Sequence, residues 1–257
     1  MLSLENGIWV GARGFRPERF AEARRDHLSQ ISETHFWFDA RARLITRILD
    51  SLPLSGRTAA LEIGCGSGGF LPVLRARFGE VVGVDAYESS LREAVRCEPE
   101  AVPVQADAHR IPLAAGQFDL IVALDVLEHL EPEKFFAEAA RLVRPGGFLL
   151  LSVPAFPLLW GDADVRAGHR CRYRRRRLIE EITQHGWAPL GTAYYQCLLF
   201  GAMLLSRRLA QGDISSVERQ PPAWMGRLFA TINRTELLLL GRHAPFGTSL
   251  IAWAQRS

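Results

Sequence analysis

LEIGCGSGGF, Leu61 to Phe70, is the stretch in which the fold can be read. The apolar run AALEIG leads into it and the segment FLPVLRARF leads out. The first has the composition of a buried strand and the second the spacing of a helix. Glycines at 64, 66 and 68 permit a tight turn and a close approach of the backbone to a ligand. The helix that follows offers unpaired N–H groups at its N-terminus. Gly64, Gly66 and Gly69 also satisfy the dinucleotide spacing GxGxxG, so the loop alone leaves the ligand open.

Downstream the same alternation repeats. VVGVD, VPVQAD, FDLIVAL and GFLLLSVP read as further strands, with SSLREAVR and PEKFFAEAARLV as helices between them. Continuous apolar strands separated by amphipathic helices predict a doubly wound α/β fold, its mainly parallel sheet covered on both faces. Upstream, Phe15 to about Leu52 is helical in pattern, ending at Pro53 and Gly56. Past Pro157, LIEEITQHGW reads as a helix, APLGTAYYQ as a strand and GTSLIAWAQ as a closing strand. The expected organisation is an N-terminal helical cap over 1–57 and a cofactor-binding α/β core over 58–197 and 245–257. A helical insertion over 198–244 would form a substrate lid or a membrane or dimer surface.

Bulk properties narrow the function. With 257 residues, 48% of them apolar and 23% charged, the chain is globular and can bury one elaborated core. A net charge of +3 is too small to imply a polyanionic partner. Lys134 is the only lysine, so arginine clusters carry less information than usual. Cys65, Cys97, Cys171 and Cys197 lack metal-ligand spacing and fit a reduced, cytoplasmic protein. The N-terminus has no basic start followed by an apolar run, so no signal peptide is expected. AYYQCLLFGAMLLS, Ala193 to Ser206, is too short to span a bilayer, though a segment of this kind can lie on one.

Three acids discriminate between ligands of the glycine loop. Glu62 would repel a pyrophosphate but can receive a cationic group. Asp85, at the end of the second strand, is placed to accept both hydroxyls of a ribose. Asp107, at the end of the third, is placed to accept from an adenine amine, with the Ala108 N–H beside it. An amino-acid head, a ribose and an adenine together satisfy all three; a dinucleotide leaves Glu62 and Asp107 without a role.

LEIGCGSGGF, VVGVDAYESSL, QADAHRIPLAAGQFDLIVALDVLEHL and RLVRPGGFLLLSVP, spanning Ala59 to Pro154, together resemble the class I S-adenosylmethionine-dependent methyltransferases. The resemblance implies a Rossmann-like sheet of seven strands, parallel except for the last. It places Glu62, Gly64, Gly66 and Gly68 along the methionine side of S-adenosyl-L-methionine, Asp85 and Ala86 at its ribose, Asp107 and Ala108 at its adenine, and Leu124 and Asp125 beneath it. Base-modifying members carry an Asn/Asp-Pro-Pro-aromatic tetrad after the fourth strand; ALDVLEHL stands there instead, which favours a small-molecule acceptor. DVLEHL resembles the ubiquinone-biosynthesis O-methyltransferases and bacterial relatives, in which the histidine, here His129, lies near the cofactor and substrate.

HFWF-x-x-R with a later RYxRRxL resembles a bacterial subgroup of small-molecule methyltransferases. Its implied role is a helix edge over the cofactor. His35 and Trp37 would face substrate, with aromatic faces that attract a sulfonium, and Arg41 or Arg43 would reach the cofactor carboxylate. A hydroxyl acceptor calls for a base near neutral pKa, for which His129 and His169 are the candidates. Trp160, Asp162 and Tyr173 complete the expected substrate rim. Asp162 and Asp164 suit orienting a histidine or binding an amine or a metal, but two acids and one histidine do not define a metal site, and no metal ligand is assigned.

GHRCRYRRRR, Gly168 to Arg177, divides in two. Its first part matches the subgroup's GHxRRY, with Cys171 and Arg172 in place of the arginine pair. Its second part begins a helix in which Arg176 and Arg177 stand four residues before Glu180 and Glu181. The expected function is methylation of a small molecule on oxygen in a biosynthetic pathway. Alternatives are an RNA or nucleoprotein methyltransferase using the arginines, a lipid- or glycan-linked acceptor at a membrane surface, a non-catalytic cofactor-binding subunit, and an NAD-linked oxidoreductase. A homodimer and peripheral membrane contact remain compatible with the sequence; a nucleic-acid partner is disfavoured.

Overall fold

The computed structural model describes residues 2–5, 7–11, 36–54, 56–209 and 223–257, with the backbone alone for 36–38, 206–209 and 223. Its strands are β1 (Ser3–Glu5), β2 (Ile8–Val10), β3 (Ala59–Ile63), β4 (Glu80–Asp85), β5 (Val102–Gln105), β6 (Phe118–Leu124), β7 (Val143–Pro154), β8 (Trp187–Tyr195) and β9 (Ser249–Arg256). They form one sheet in the order β1-β2-β5-β4-β3-β6-β7-β9-β8. Strands β3 to β7 pair in parallel. The closing strand β9 runs antiparallel to both β7 and β8, as the family resemblance implied.

Nine strands stand where seven were expected, and the start of the 1–57 segment is not helical. β1 and β2 form an antiparallel hairpin, and β2 adds to the free edge of β5. Each strand has three residues, and Leu4 and Trp9 are exposed, so no alternation marks them. The available signal was the dipeptide Asn6-Gly7, a tight-hairpin pair, with Gly7 at φ +82°. The helix expected across Phe15 to Leu52 is present as α1 (Phe36–Ser51); residues 12–35 lie outside the described part.

Helices α2 (Leu71–Arg75), α3 (Glu88–Cys97), α4 (Pro132–Leu142), α5 (Asp162–Arg166) and α6 (Arg175–Gln184) follow the core strands. β3 and β6 are buried along their whole length, so both faces must be covered. On one face Ile45 and Ile48 of α1, Leu71 and Leu74 of α2 and Leu91 of α3 pack together. On the other, Phe135 and Phe136 of α4 and Leu178 and Ile182 of α6 pack against Trp187. Between β8 and β9 lie α7 (Phe200–Leu209) and α8 (Ala223–Leu239). α8 packs on α1, and Arg47 Nη1 donates to the Leu237 carbonyl at 2.8 Å.

Two consequences position the site. β3 is central, with β4 on one side and β6 on the other, so the connections diverge and open a crevice at the strands' carboxyl ends. Three non-glycine residues with left-handed backbone sit on that edge: Asp125 (φ 57°) after β6, Phe156 (φ 57°) after β7 and Gln196 (φ 61°) after β8. Such residues cost about 1–3 kcal/mol each and concentrate where function demands a particular direction of the chain.

At the opposite end Asp119 of β6 ties three strands together. Its Oδ2 accepts from Thr58 N at 2.8 Å, Ala59 N at 3.0 Å and Arg144 Nη1 at 2.9 Å. Burial alone would raise this carboxyl, but the two backbone N–H groups and Arg144 outweigh it and hold it below the usual aspartate value. Its stabilisation is therefore present above about pH 4 and lost as pH falls through the depressed folded value. Asp119→Asn should lower stability by about 2 kcal/mol at neutral pH. In urea unfolding the deficit should shrink toward zero in acid.

Candidate functional site

The glycine loop owes its shape to backbone hydrogen bonds and close packing. Gly64 N and Cys65 N both donate to the Val84 carbonyl, at 2.7 and 3.0 Å, which ties the end of β3 to β4. A Cβ on Gly64 (φ +71°) would lie 2.4 Å from Val126 Cγ2, and one on Gly68 (φ +84°) 2.7 Å from Ala94 Cα. Packing and backbone conformation thus both demand glycine at these positions. Gly66 N donates to Asp85 Oδ2 at 3.0 Å, and Tyr87 N to Asp85 Oδ1 at 2.9 Å. The carboxylate at the end of β4 is thereby held against the loop.

Glu62, Asp85 and Asp107 occur at or just beyond the ends of three adjacent strands, β3, β4 and β5. Asp107 Oδ1 accepts from His109 N at 2.9 Å and lies 2.9 Å from His109 Nδ1. Ala86 and Ala108 are partly exposed beside these acids, and Leu124 is buried at the end of β6. The structure therefore brings the predicted cofactor residues of the core to one edge.

The two arginines of α1 separate. Arg41 pairs with Asp125 in the crevice. Arg43 pairs with Asp39 one turn back on its own helix, half exposed. Two residues along a helix is more than half a turn, so both cannot face the sheet. Arg43 is thus corrected to a surface residue. Glu62 is 3% exposed. Burial pushes its carboxyl up to about 8, an effect reduced by the nearby Arg41 guanidinium and reinforced by Asp85. Its Oε2 is buried without a hydrogen-bond partner.

A second cluster lies in the loop after β7. Asp164, buried at 1% exposure, accepts at Oδ1 from Arg172 Nε at 2.9 Å and stands 2.9 Å from His169 Nδ1. Its Oδ2 accepts from Gly161 N at 2.9 Å. Arg172 Nη1 also donates to the Ala155 carbonyl at 3.0 Å, which fastens the loop to the end of β7. Arg170 N donates to the Glu128 carbonyl at 2.7 Å, joining this loop to the turn after β6. The His129 and His169 rings consequently meet edge to face, with centroids 4.8 Å apart.

The remaining predicted residues distribute unevenly. Tyr173 is corrected: it is 1% exposed, forms a parallel bridge with Ala155 and stacks under Arg177. The loop re-enters the sheet there, so its side chain serves the core. Asp162 and Trp160 are exposed near the cluster's outer side, and Asp164 makes the buried contacts. His35 lies outside the described residues, and Trp37 is described only as a backbone position at the start of α1. Two further buried residues had no role assigned from sequence: Glu128, next to His129 and 1% exposed, and Arg172, known only from its place in the GHxRRY match. Burial pushes the Glu128 carboxyl well up; Asp125 adds to this, while Arg172 and Arg41 offset part of it. A carboxylate inside DVLEHL was visible, but not that its side chain would be buried. In the helix start, Arg176–Glu180 and Arg177–Glu181 pair at 2.7 and 2.9 Å as expected.

A central strand, a glycine turn and acids at successive strand ends define an α/β protein of the nucleotide-cofactor-binding class. Residues 61–151 match the family described as a methyltransferase domain. The ubiquinone biosynthesis O-methyltransferase of Sinorhizobium medicae is 32% identical over 202 residues, covering 74% of this chain and 71% of that protein. That of Parvibaculum lavamentivorans is 31% identical over 151 residues, covering 56% of each. Among solved structures, a phosphoethanolamine N-methyltransferase of Haemonchus contortus in complex with S-adenosyl-L-methionine superposes with TM-score 0.60. It shares 17% identity, covers 96% of this chain and 60% of that one, and shows likeness of fold alone. The chain belongs to the class I S-adenosylmethionine-dependent methyltransferases. It spans about half the length of several curated relatives, 56% of the Parvibaculum protein and 47% of a Streptomyces fradiae protein.

Glu62 provides a test that needs no ligand. A carboxyl at about 8 in the folded chain and about 4.3 unfolded keeps a proton that unfolding releases. Stability is therefore full below the unfolded value and declines as pH rises toward the folded one. Glu62→Gln should remove this decline. Its melting temperature should exceed that of the parent by about 10 °C at pH 8 and nearly equal it at pH 4, read by thermal unfolding.

Proposed function

We propose that the protein transfers the methyl group of S-adenosylmethionine to oxygen of a small molecule. The observation that carries this reading is Glu62: a buried carboxyl with a partnerless oxygen beside the glycine turn, which suits a cationic amine. In this reading Glu62 takes the cofactor's ammonium and Arg41 its carboxylate. Gly64, Gly66 and Gly68 give the chain room, Asp85 and Ala86 hold the ribose, Asp107 and Ala108 the adenine, and Leu124 and Asp125 form the floor. The relatives support oxygen as the acceptor atom. Besides the ubiquinone enzymes they include a 27-O-demethylrifamycin SV methyltransferase of Amycolatopsis mediterranei, 32% identical over 141 residues.

Methyl transfer is an in-line displacement. The acceptor oxygen forms a bond to the methyl carbon as the carbon–sulfur bond breaks, and the electron pair stays on sulfur. Alignment and exclusion of water supply most of the acceleration. The acceptor's proton is handled at the His129–His169 corner, where a histidine takes it or holds the group that does. Residues 58–197 and 245–257 act as the core, with the helices of 198–209 and 223–244 over the acceptor. Calorimetric titration tests the reading. S-adenosylmethionine should bind and NAD should not. At pH 7 nearly one proton should be released per cofactor bound, because the ammonium ionises Glu62. Glu62→Gln should release none and bind at least about tenfold more weakly; absence of cofactor binding by the parent chain would sink the proposal.

The insertion supports a second reading, contact with an anionic membrane surface. No helix among the described residues is long and apolar enough to cross a membrane. Yet Trp224, Leu228, Leu238 and Leu239 of α8 are 48–76% exposed. Arg227 and Arg242 are exposed beside them. Apolar side chains flanked by arginine suit the interface of an anionic bilayer. Co-sedimentation should occur with vesicles containing phosphatidylglycerol and fall at least about tenfold in Trp224→Ser/Leu238→Ser. Equal recovery with and without vesicles would remove this reading.

A further inference from the structure

The turn after β5 carries a histidine, His109, that stands outside the methyl-transfer chemistry. Asp107 and Arg110 close that turn, with Arg110 N donating to the Asp107 carbonyl at 2.9 Å. Within it His109 donates its backbone N–H to Asp107 Oδ1 at 2.9 Å, and its ring Nδ1 stands 2.9 Å from the same oxygen. On the far side of the ring, Glu131 N donates to Nε2 at 3.2 Å. Glu131 caps α4 in front of Pro132, with extended backbone at φ −84° and ψ 114°. A residue before proline is kept extended, and at a helix start its N–H has no partner within the helix. Its own carboxylate is engaged by Lys134 Nζ at 2.7 Å.

The Glu131 N–H fixes the tautomer of the ring. A backbone amide only donates, so Nε2 is the unprotonated nitrogen and Nδ1 the one that carries hydrogen. Both donors on Asp107 Oδ1 therefore belong to His109. The Arg110 hydrogen bond already closes the turn, so the ring contact acts on the carboxylate and not on the path of the chain. The Asp107 side chain is 39% exposed, and a carboxyl has only a broad χ2 preference of its own. Two donors on one oxygen hold its plane and leave Oδ2, to which no described residue donates, for a ligand.

We propose that His109 is the positioning residue that makes the cofactor site selective for a 6-aminopurine, by holding Asp107 between the turn after β5 and the start of α4. The inference rests on the reading in which Asp107 and Ala108 meet the adenine, and it names what sets the specificity of that contact. Adenine presents a donor at its 6-amino group and an acceptor at N1, which match the Asp107 carboxylate and the Ala108 N–H. A 6-oxopurine presents the reverse, an acceptor at O6 and a donor at N1. Against a fixed carboxylate both contacts become repulsive. A carboxylate free to turn reaches the N1–H of the 6-oxopurine instead and recovers one hydrogen bond. Discrimination thus depends on how firmly Asp107 is held, because unpaired and clashing polar groups are what reject the wrong ligand. The far anchor, Glu131 N, lies two residues past His129, so the strut is seated on the segment that follows β6.

The test is calorimetric titration of the full chain with S-adenosylhomocysteine and with S-inosylhomocysteine, its 6-oxo counterpart. The parent should bind the first at least about 100-fold more tightly. His109→Asn keeps an N–H at the place of Nδ1, and its ratio of the two affinities should stay within about threefold of the parent's. His109→Gln sets its amide at the place of Nε2, away from Asp107, and its ratio should fall by at least about tenfold. The His109 side chain is 21% exposed and outside the apolar core, so both variants should fold. A role confined to folding would weaken the two ligands alike and leave the ratio unchanged. An unchanged ratio in His109→Gln, or equal falls in the two variants, would overturn the positioning role, while S-adenosylhomocysteine binding by the parent still upholds the cofactor reading. Equal affinity of the parent for both ligands would overturn the proposal and the adenine assignment of Asp107, and binding of neither would overturn the cofactor reading as well. Nitrogen-15 NMR of the parent should show the His109 proton on Nδ1; a proton on Nε2 alone would contradict the strut.

Discussion

A parallel sheet buried on both faces has only its strand ends in which to place charge, and this constraint governs the rest of the molecule. β3 and β6 are apolar along their length except for Glu62 and Asp119. Asp119 lies near the amino ends of the strands and is fully supplied with donors. Glu62 lies near the carboxyl end and keeps an oxygen without a partner. One acid closes the structure, while the other is left unsatisfied at the carboxyl edge. The contrast follows from hydrogen-bond satisfaction: the same side-chain chemistry stabilises where donors converge and is costly where they do not.

The carboxyl edge collects several groups of this kind. Asp125, Phe156 and Gln196 adopt left-handed backbone there, and Glu62 and Glu128 are buried with raised carboxyls. Arg41 reaches this edge from α1 and Arg172 from the loop after β7, so two cations from distant parts of the chain moderate the acids. A single buried carboxylate, Asp164, orders the loop after β7 by engaging Arg172 and His169 at once. Strain and unmet polar groups on one edge, with a well-satisfied opposite end, form the division expected of a binding protein whose stability and function reside in different places.

Much of this was legible in the residues. The glycine loop with Glu62, Asp85 and Asp107 at strand ends could be placed because strand and helix periods are local and the acids fall at countable positions. The sequence left Arg41 and Arg43 as alternatives because their faces differ only once α1 is docked. Tyr173 was misassigned to the rim because a loop and a short strand-like re-entry read alike in one dimension. The hairpin of β1 and β2 was missed because strands of three residues carry too few positions for alternation, although Asn6-Gly7 marked the turn.

The sequence by itself determined the parallel core, because continuous apolar strands and amphipathic helices encode burial residue by residue; the direction of the closing strand came with the family resemblance. Only the tertiary structure decided that Glu128 is buried, that Asp164 grips His169 and Arg172, and that His129 meets His169 across 40 residues of chain. Those contacts join the turn after β6 to the loop after β7. Their geometry depends on how adjacent strand ends diverge in a twisted sheet, and spacing along the chain carries no measure of that distance.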